Sequence, residues 1–128
     1  INIEALTMMD MVNKYVIPAV IAYQNELAQL VLSKKSLGAD IPVSLEENLL
    51  SKIARLADCL GKRLENLSQQ TIAVREIKDK LELARAYREK VCTAMNELRL
   101  VVDELELLVS SRHWTLPTYT EILNSVNE

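Results

Sequence analysis

A chain of 128 residues with a net charge of −3 is one domain's worth of polypeptide. Its hydrophobic content is 49%, yet phenylalanine is absent and only two glycines and three prolines offer places to turn, so an all-α fold of long helices packed through Leu, Ile, Val and Ala is expected. The acidic balance gives no basic field for nucleic acid; no run approaches the ~20 apolar residues that span a bilayer, so no membrane partner is expected.

The spacing predicts a first helix over residues 3–37. Its apolar stripe is Met9, Val12, Val16, Ala19, Tyr23, Leu27 and Leu30, at steps of three and four. Pro18 falls mid-stripe, removes the bond to the carbonyl of Lys14 and predicts a kink, while the stripe stays in phase across it. Lys34 and Lys35 suit the negative end of the helix dipole, and Gly38 follows as a left-handed capping residue. The chain starts at Ile1, inside the amphipathic pattern and without a basic leader, which reads as an excised piece of something longer.

Residues 39–43 form a loop, with Pro42 blocking helix continuation. Ser44 then opens a second helix, over 44–72, and Ser44 with Glu47 has the spacing of a capping box. Its stripe is Leu45, Leu49, Ile53, Leu56, Leu60, Leu64 and Leu67. Gly61 interrupts it at a cost of ~1 kcal/mol relative to alanine, through close packing or mere tolerance. No glycine or proline marks the next turn. It is expected at 68–71 or 72–75, near Val74, where β-branched and polar residues weaken helix propensity. A single unbroken helix over 44–109, ~100 Å long, is the alternative. A hairpin turning near Val74 would set Cys59 and Cys92 at one height, which leaves a disulfide open beside the favoured reading of two reduced thiols; their isolation excludes zinc-ligand spacing.

A third helix is predicted over 76–110, with Ile77, Leu81, Ala84, Tyr87, Val91, Ala94, Leu98, Val101, Leu105 and Leu108 on one face. Lys80, Arg85, Arg88, Glu89, Glu97, Arg99 and Glu106 form the other. Arg99 with Asp103, Lys78 with Glu82, Glu76 with Lys80 and Arg85 with Glu89 are i,i+4 pairs of ~0.2–0.5 kcal/mol each, marking a solvated exterior that also takes in Glu104. Three helices of matched length suit an antiparallel up-down-up bundle in a single domain over 1–128. The tail, 111–128, holds the only tryptophan and histidine; a short helix is expected over 119–126, with Trp114, Pro117 and Tyr119 anchoring the tail on the bundle or on a neighbour.

Nothing in the pattern assembles a reaction centre. There is no Glu-x-x-His pair for a carboxylate-bridged metal, no glycine-rich phosphate loop and no nucleophile with a base at meaningful spacing, and the lone His113 reads as a packing or surface residue. No catalytic, cofactor-binding or metal-binding residue is therefore assigned; Pro18, Ser44 and Glu47 are read as structural. A soft methionine surface at Met8, Met9 and Met11 reads as cover for the bundle end or for a preceding domain.

Three patches carry a family likeness. They are NIEALTMMDMV followed by YVIPAV, from Asn2 to Val20; MNELRLVVDELELLV, from Met95 to Val109; and the tail residues Trp114, Pro117, Thr118, Tyr119 and Leu123. In that order they resemble the C-terminal helical region of bacterial type III glutamine synthetases, with departures at Cys92-Thr93, where the family often has a proline and an aromatic, and at Thr115, which replaces the first proline of its W-P-x-P tail. The resemblance implies a cytoplasmic parent enzyme that joins ammonia to glutamate using ATP and magnesium, with its catalytic residues upstream and none on these 128 residues. It implies a catalytically silent appendage whose partners are the upstream core and neighbouring subunits of an oligomer. A free-standing helical-bundle or coiled-coil interaction module is the alternative that the heptad-like steps allow.

Overall fold

The computed structural model describes residues 2–115, and among them all regular structure is helical. Helix α1 is continuous over residues 2–37: Asn2–Met11 is α-helical, Val12–Val16 forms a π turn and Ile17–Leu37 is α-helical again. The π turn explains how a proline sits mid-helix. Pro18 has no N–H to give, and the preceding turn is widened so that Ile17 N–H bonds to Val12 O, one residue further back than in an α-helix. The helix therefore runs on through Pro18 rather than breaking there. At its far end Gly38 takes φ +148° and ψ 158°, a region essentially reserved for glycine, instead of the left-handed helical conformation expected.

Helix α2 spans Ser44–Arg75. The expected capping box does not form. The cap position is Val43, whose carbonyl accepts Glu47 N–H at 2.9 Å and whose side chain makes no capping bond. Ser44 is already the first helical residue, and Glu47 is turned to Lys35, 3.0 Å away. The helix also continues past the expected turn. Thr71, read as a helix-weakening residue, is buried and donates its hydroxyl to Ser68 O at 2.7 Å, so its polar group is satisfied inside the helix.

The turn lies at residues 76–79, and α3 starts at Lys80 rather than 76. Its cap was hidden in plain sequence: Asp79 accepts Glu82 N–H at 3.2 Å, with Glu82 three residues into the helix. Glu76 and Lys78 therefore sit in the turn and form no helical i,i+4 pairs. Helix α3 covers Lys80–Ala86, a second π turn at Tyr87–Val91, and Cys92–Leu108. That π turn adds one residue to the repeat. N-terminal to it the inward face moves back by one position, so Ala86 is buried while Ala84 and Leu81 are exposed. Val109 is already extended, which ends the helix two residues before the expected 110.

The core follows a seven-residue beat. On α2, Ile53, Leu60, Leu67 and Val74 are sealed from solvent, and on α3 so are Val91, Leu98 and Leu105. Such spacing lets helices pack side by side with knobs in holes. On α1 the partners are Ala5, Val12, Val16, Val20, Leu27 and Val31, while the predicted Leu30 is exposed. The middle helix takes most of the packing, against both neighbours. One exclusion needs correcting: by length and composition alone, Ile3–Leu37 is apolar enough to cross a membrane. Its buried stripe belongs to the shared core, while most of that apolar window faces outward. Both thiols are free. The turn falls later than Val74, at residues 76–79, so the two thiols do not lie at the one height expected.

Candidate functional site

The charged side chains that meet across helices do so in pairs. At the α1–α2 loop Lys34 pairs with Glu46 and donates to Pro42 O at 3.2 Å, while Lys35 pairs with Glu47. The lysines expected to serve the helix dipole thus also bridge the loop. Glu46 is buried, and the Lys34 hydrogen bond, with one from its own backbone, holds its carboxyl below the ordinary value. Midway along α2, Arg63 donates to Glu97 of α3 at 2.7 Å. Glu97 is a member of the Glu97-Leu98-Arg99 pattern; Leu98 beside it is a core residue. Arg99, Asp103 and Glu106 are half-buried and only Glu104 is exposed, so the acids do not form the uniformly solvated face expected.

The most connected polar cluster joins the chain's exit to α1. Ser110 organises the turn after α3: its Oγ accepts Arg112 N–H at 3.3 Å, and its carbonyl accepts the N–H groups of His113 and Trp114 at 3.0 and 3.1 Å. This aims Arg112 and His113 at Glu26 of α1. One carboxylate oxygen accepts from Arg112, the other from His113 Nε2 at 2.9 Å. The imidazole also leans on Tyr23, with ring centroids 5.7 Å apart. Held first by His113 and then by Arg112, Glu26 has its pKa lowered. Among the anchors expected in the tail, Trp114 packs against the core, and its buried indole N–H has no acceptor among the described residues. Pro117, Tyr119 and the helix expected over 119–126 lie outside the described residues. Glu26 was missed in the sequence, though it is the only charged residue between Tyr15 and Ser33 and so the one most in want of a partner.

Elsewhere the surface offers open grooves. One of about 340 Å³ runs between α2 and α3 beside the second π turn, lined by Asn66, Gln70, Glu89, Lys90, Thr93 and Glu97. Another, of about 210 Å³, is apolar and lies between α1 and α2 at Ile17, Ile21, Ala57 and Gly61. Among the described residues no three His, Cys, Asp or Glu side chains converge to hold a metal ion. Tyr87 in the second π turn has its pKa raised, first by burial and then by Cys92 and Glu4.

A family model described as glutamine synthetase C-terminal domain matches residues 1–35, the span of α1 up to its last turn. A glutamine synthetase of Butyrivibrio fibrisolvens is 33% identical over 126 residues, covering 98% of this chain and 18% of that protein. The chain belongs to the glutamine synthetase C-terminal domain family. The type-3 glutamine synthetase of Dictyostelium discoideum is 28% identical over 96% of this chain and 17% of its own length. A glutamine synthetase of Bacteroides fragilis is 21% identical with the same coverage. The domain thus spans less than a fifth of the length of the curated relatives it matches. No solved structure matches it.

Proposed function

We propose that this chain is the non-catalytic C-terminal helical domain of a type III glutamine synthetase, serving the stability and assembly of a parent enzyme. The parent's reaction would be the ATP- and magnesium-dependent ligation of ammonia to glutamate, carried out by a catalytic body N-terminal to this domain in a bacterial cytoplasmic oligomer. The observation that carries the reading is the 33% identity over 98% of the chain to a glutamine synthetase more than five times longer. The relative named type-3 and the order of the three sequence patches favour that class. The structural role is supported by the use of the charges: Lys34–Glu46, Lys35–Glu47, Arg63–Glu97 and the Glu26 cluster tie elements to one another, and of their members only Glu97 lines one of the grooves described above. The same pairs favour an antiparallel up-down-up bundle, and the packing of Trp114 against the core favours an anchored tail.

The deciding experiment starts with the reading frame: a glutamine synthetase body must precede Ile1 in the natural protein. Deleting this domain should then change the sedimenting mass or the thermal stability of the assembled enzyme, and the separate domain should carry no ligase activity. A reading frame without such a body would overturn the family role; an enzyme of unchanged mass and stability after deletion would overturn the assembly role. For the anchor, Trp114→Ala should speed tryptic cleavage after Arg112, and an unchanged rate would dismiss it.

A further inference from the structure

Between Tyr15 and Ser33 the chain has one charged residue, where its 26% charged content would place about five in a stretch of that length. That residue, Glu26, is already held by Arg112 and His113. Yet much of this stretch faces outward. Pro18, Ile21, Ala22, Asn25, Gln29 and Leu32 are all exposed and, with Ile21 and Ala22 side by side and the other steps of three or four, share one face, a strip ~21 Å long on α1. Ile21 is 60% and Leu32 68% exposed. The outward positions of α2 are different in kind, with Lys52, Arg55, Asp58, Lys62 and Glu65 among them. Next to Ile21 lies the 210 Å³ apolar groove, kept open because Ala57 and Gly61 present almost no side chain. A Cβ built at Gly61 would meet no atom within 4 Å. An uncharged helix strip beside a groove floored by small residues is a surface shaped for another apolar element.

The occupant follows from what lies outside this chain. The matched relatives are more than five times its length, so a body of several domains' size is available in the same polypeptide. We infer that the Pro18–Leu32 strip of α1 and the Gly61 groove form the face by which the domain docks on the preceding body of its own polypeptide. This rests on the proposed membership of a longer glutamine synthetase and names the contact surface within it. The docking element is an uncharged, apolar segment of that body, with Ile21 as the central knob on the domain's side.

The test compares the full-length polypeptide with the 128-residue chain, which encloses its own core. Cysteine is placed at Ile21 or Leu32 in a Cys59→Ala/Cys92→Ala background, and maleimide labelling rates are measured in both. Both positions should label freely in the separate domain and slow by roughly tenfold or more in the full-length protein. Adding Ile21→Lys to the full-length Leu32→Cys protein should return its labelling to the rate of the separate domain. Circular dichroism of the separate domain checks that each variant folds. Equal rates in both contexts would overturn the inference. So would protection already present in the separate domain together with a dimer mass, which would assign the face to a second copy. A full-length protein that has ligase activity yet labels freely at both positions would sink this inference alone and leave the proposed function standing.

Discussion

Replacing either of the chain's two glycines by alanine adds the same methyl group to an equally open place, and the two results should differ in sign. A Cβ at Gly38 or at Gly61 would meet no atom within 4 Å, so neither substitution is opposed by a clash. The backbone decides instead. Gly61 lies inside the 32-residue helix α2, where alanine is favoured over glycine by about 0.5–1 kcal/mol. Gly38 sits at φ +148°, where a side-chain-bearing residue costs about 1–3 kcal/mol. At ~2.1 cal/mol/K per residue, unfolding 128 residues carries ~0.27 kcal/mol/K of entropy. Gly61→Ala should therefore raise Tm by about 2–4 °C and Gly38→Ala lower it by about 4–11 °C. Calorimetry on the two variants beside the parent chain measures both. Shifts of the same sign, or a loss of stability in Gly61→Ala, would refute the reasoning, since they would require contacts at Gly61 that the structure does not have.

Other variants probe the core, the caps and the exit cluster. Leu98→Ala should cost about 2–5 kcal/mol in urea unfolding, because Leu98 is sealed in the α2–α3 seam; Leu107→Ala, 84% exposed, should stay within ~0.5 kcal/mol of the parent. Asp79→Ala should cost about 0.5–2 kcal/mol through loss of the α3 cap, whereas Ser44→Ala should be nearly silent, since Ser44 bonds no helix N–H; a large effect at Ser44 would restore the capping box. Glu26 has a folded pKa below the unfolded 4.5, so its contribution is complete above that pH and is lost as pH falls through the lowered folded value. Urea midpoints measured from pH 7 to pH 3 should accordingly fall less steeply in Glu26→Gln than in the parent, and parallel curves would show the cluster to be uncoupled from folding.

Much of the fold was legible because helical periodicity is local. Apart from Leu30 and Leu45, which are exposed, the stripes on α1 and α2 follow from side-chain spacing within a few turns, as do the loop at Pro42 and continuity through Pro18. The failures are also specific. The α2–α3 turn was sought where propensity weakens, but Thr71 satisfies its hydroxyl on Ser68 and the helix runs on to Arg75. The better signal was Asp79 with Glu82, a cap without the glycine or proline that usually announces a boundary. The inward face at the start of α3 was assigned in a strict 3.6-residue phase, and the π turn at Tyr87–Val91 shifted it by one residue. Of the candidate site, Trp114 could be singled out as the lone tryptophan, while the Glu26 cluster could not, because its members are 86 and 87 residues apart.

By itself the sequence determined the helical class, the lengths of the first two helices to within about three residues and of the third to within about six, and the likeness to the glutamine synthetase C-terminal domain, since all three reside in short-range patterns of apolar and charged residues. Tertiary structure alone decided which residues meet. It set Arg63 against Glu97, moved Glu47 from a cap to Lys35, left the two cysteines unbridged, and drew Arg112 and His113 onto Glu26. It also showed that the apolar run of α1 is too wide for the core to absorb. A helix in a three-helix arrangement buries about one stripe, and the remainder, from Pro18 to Leu32, is left facing outward without charge.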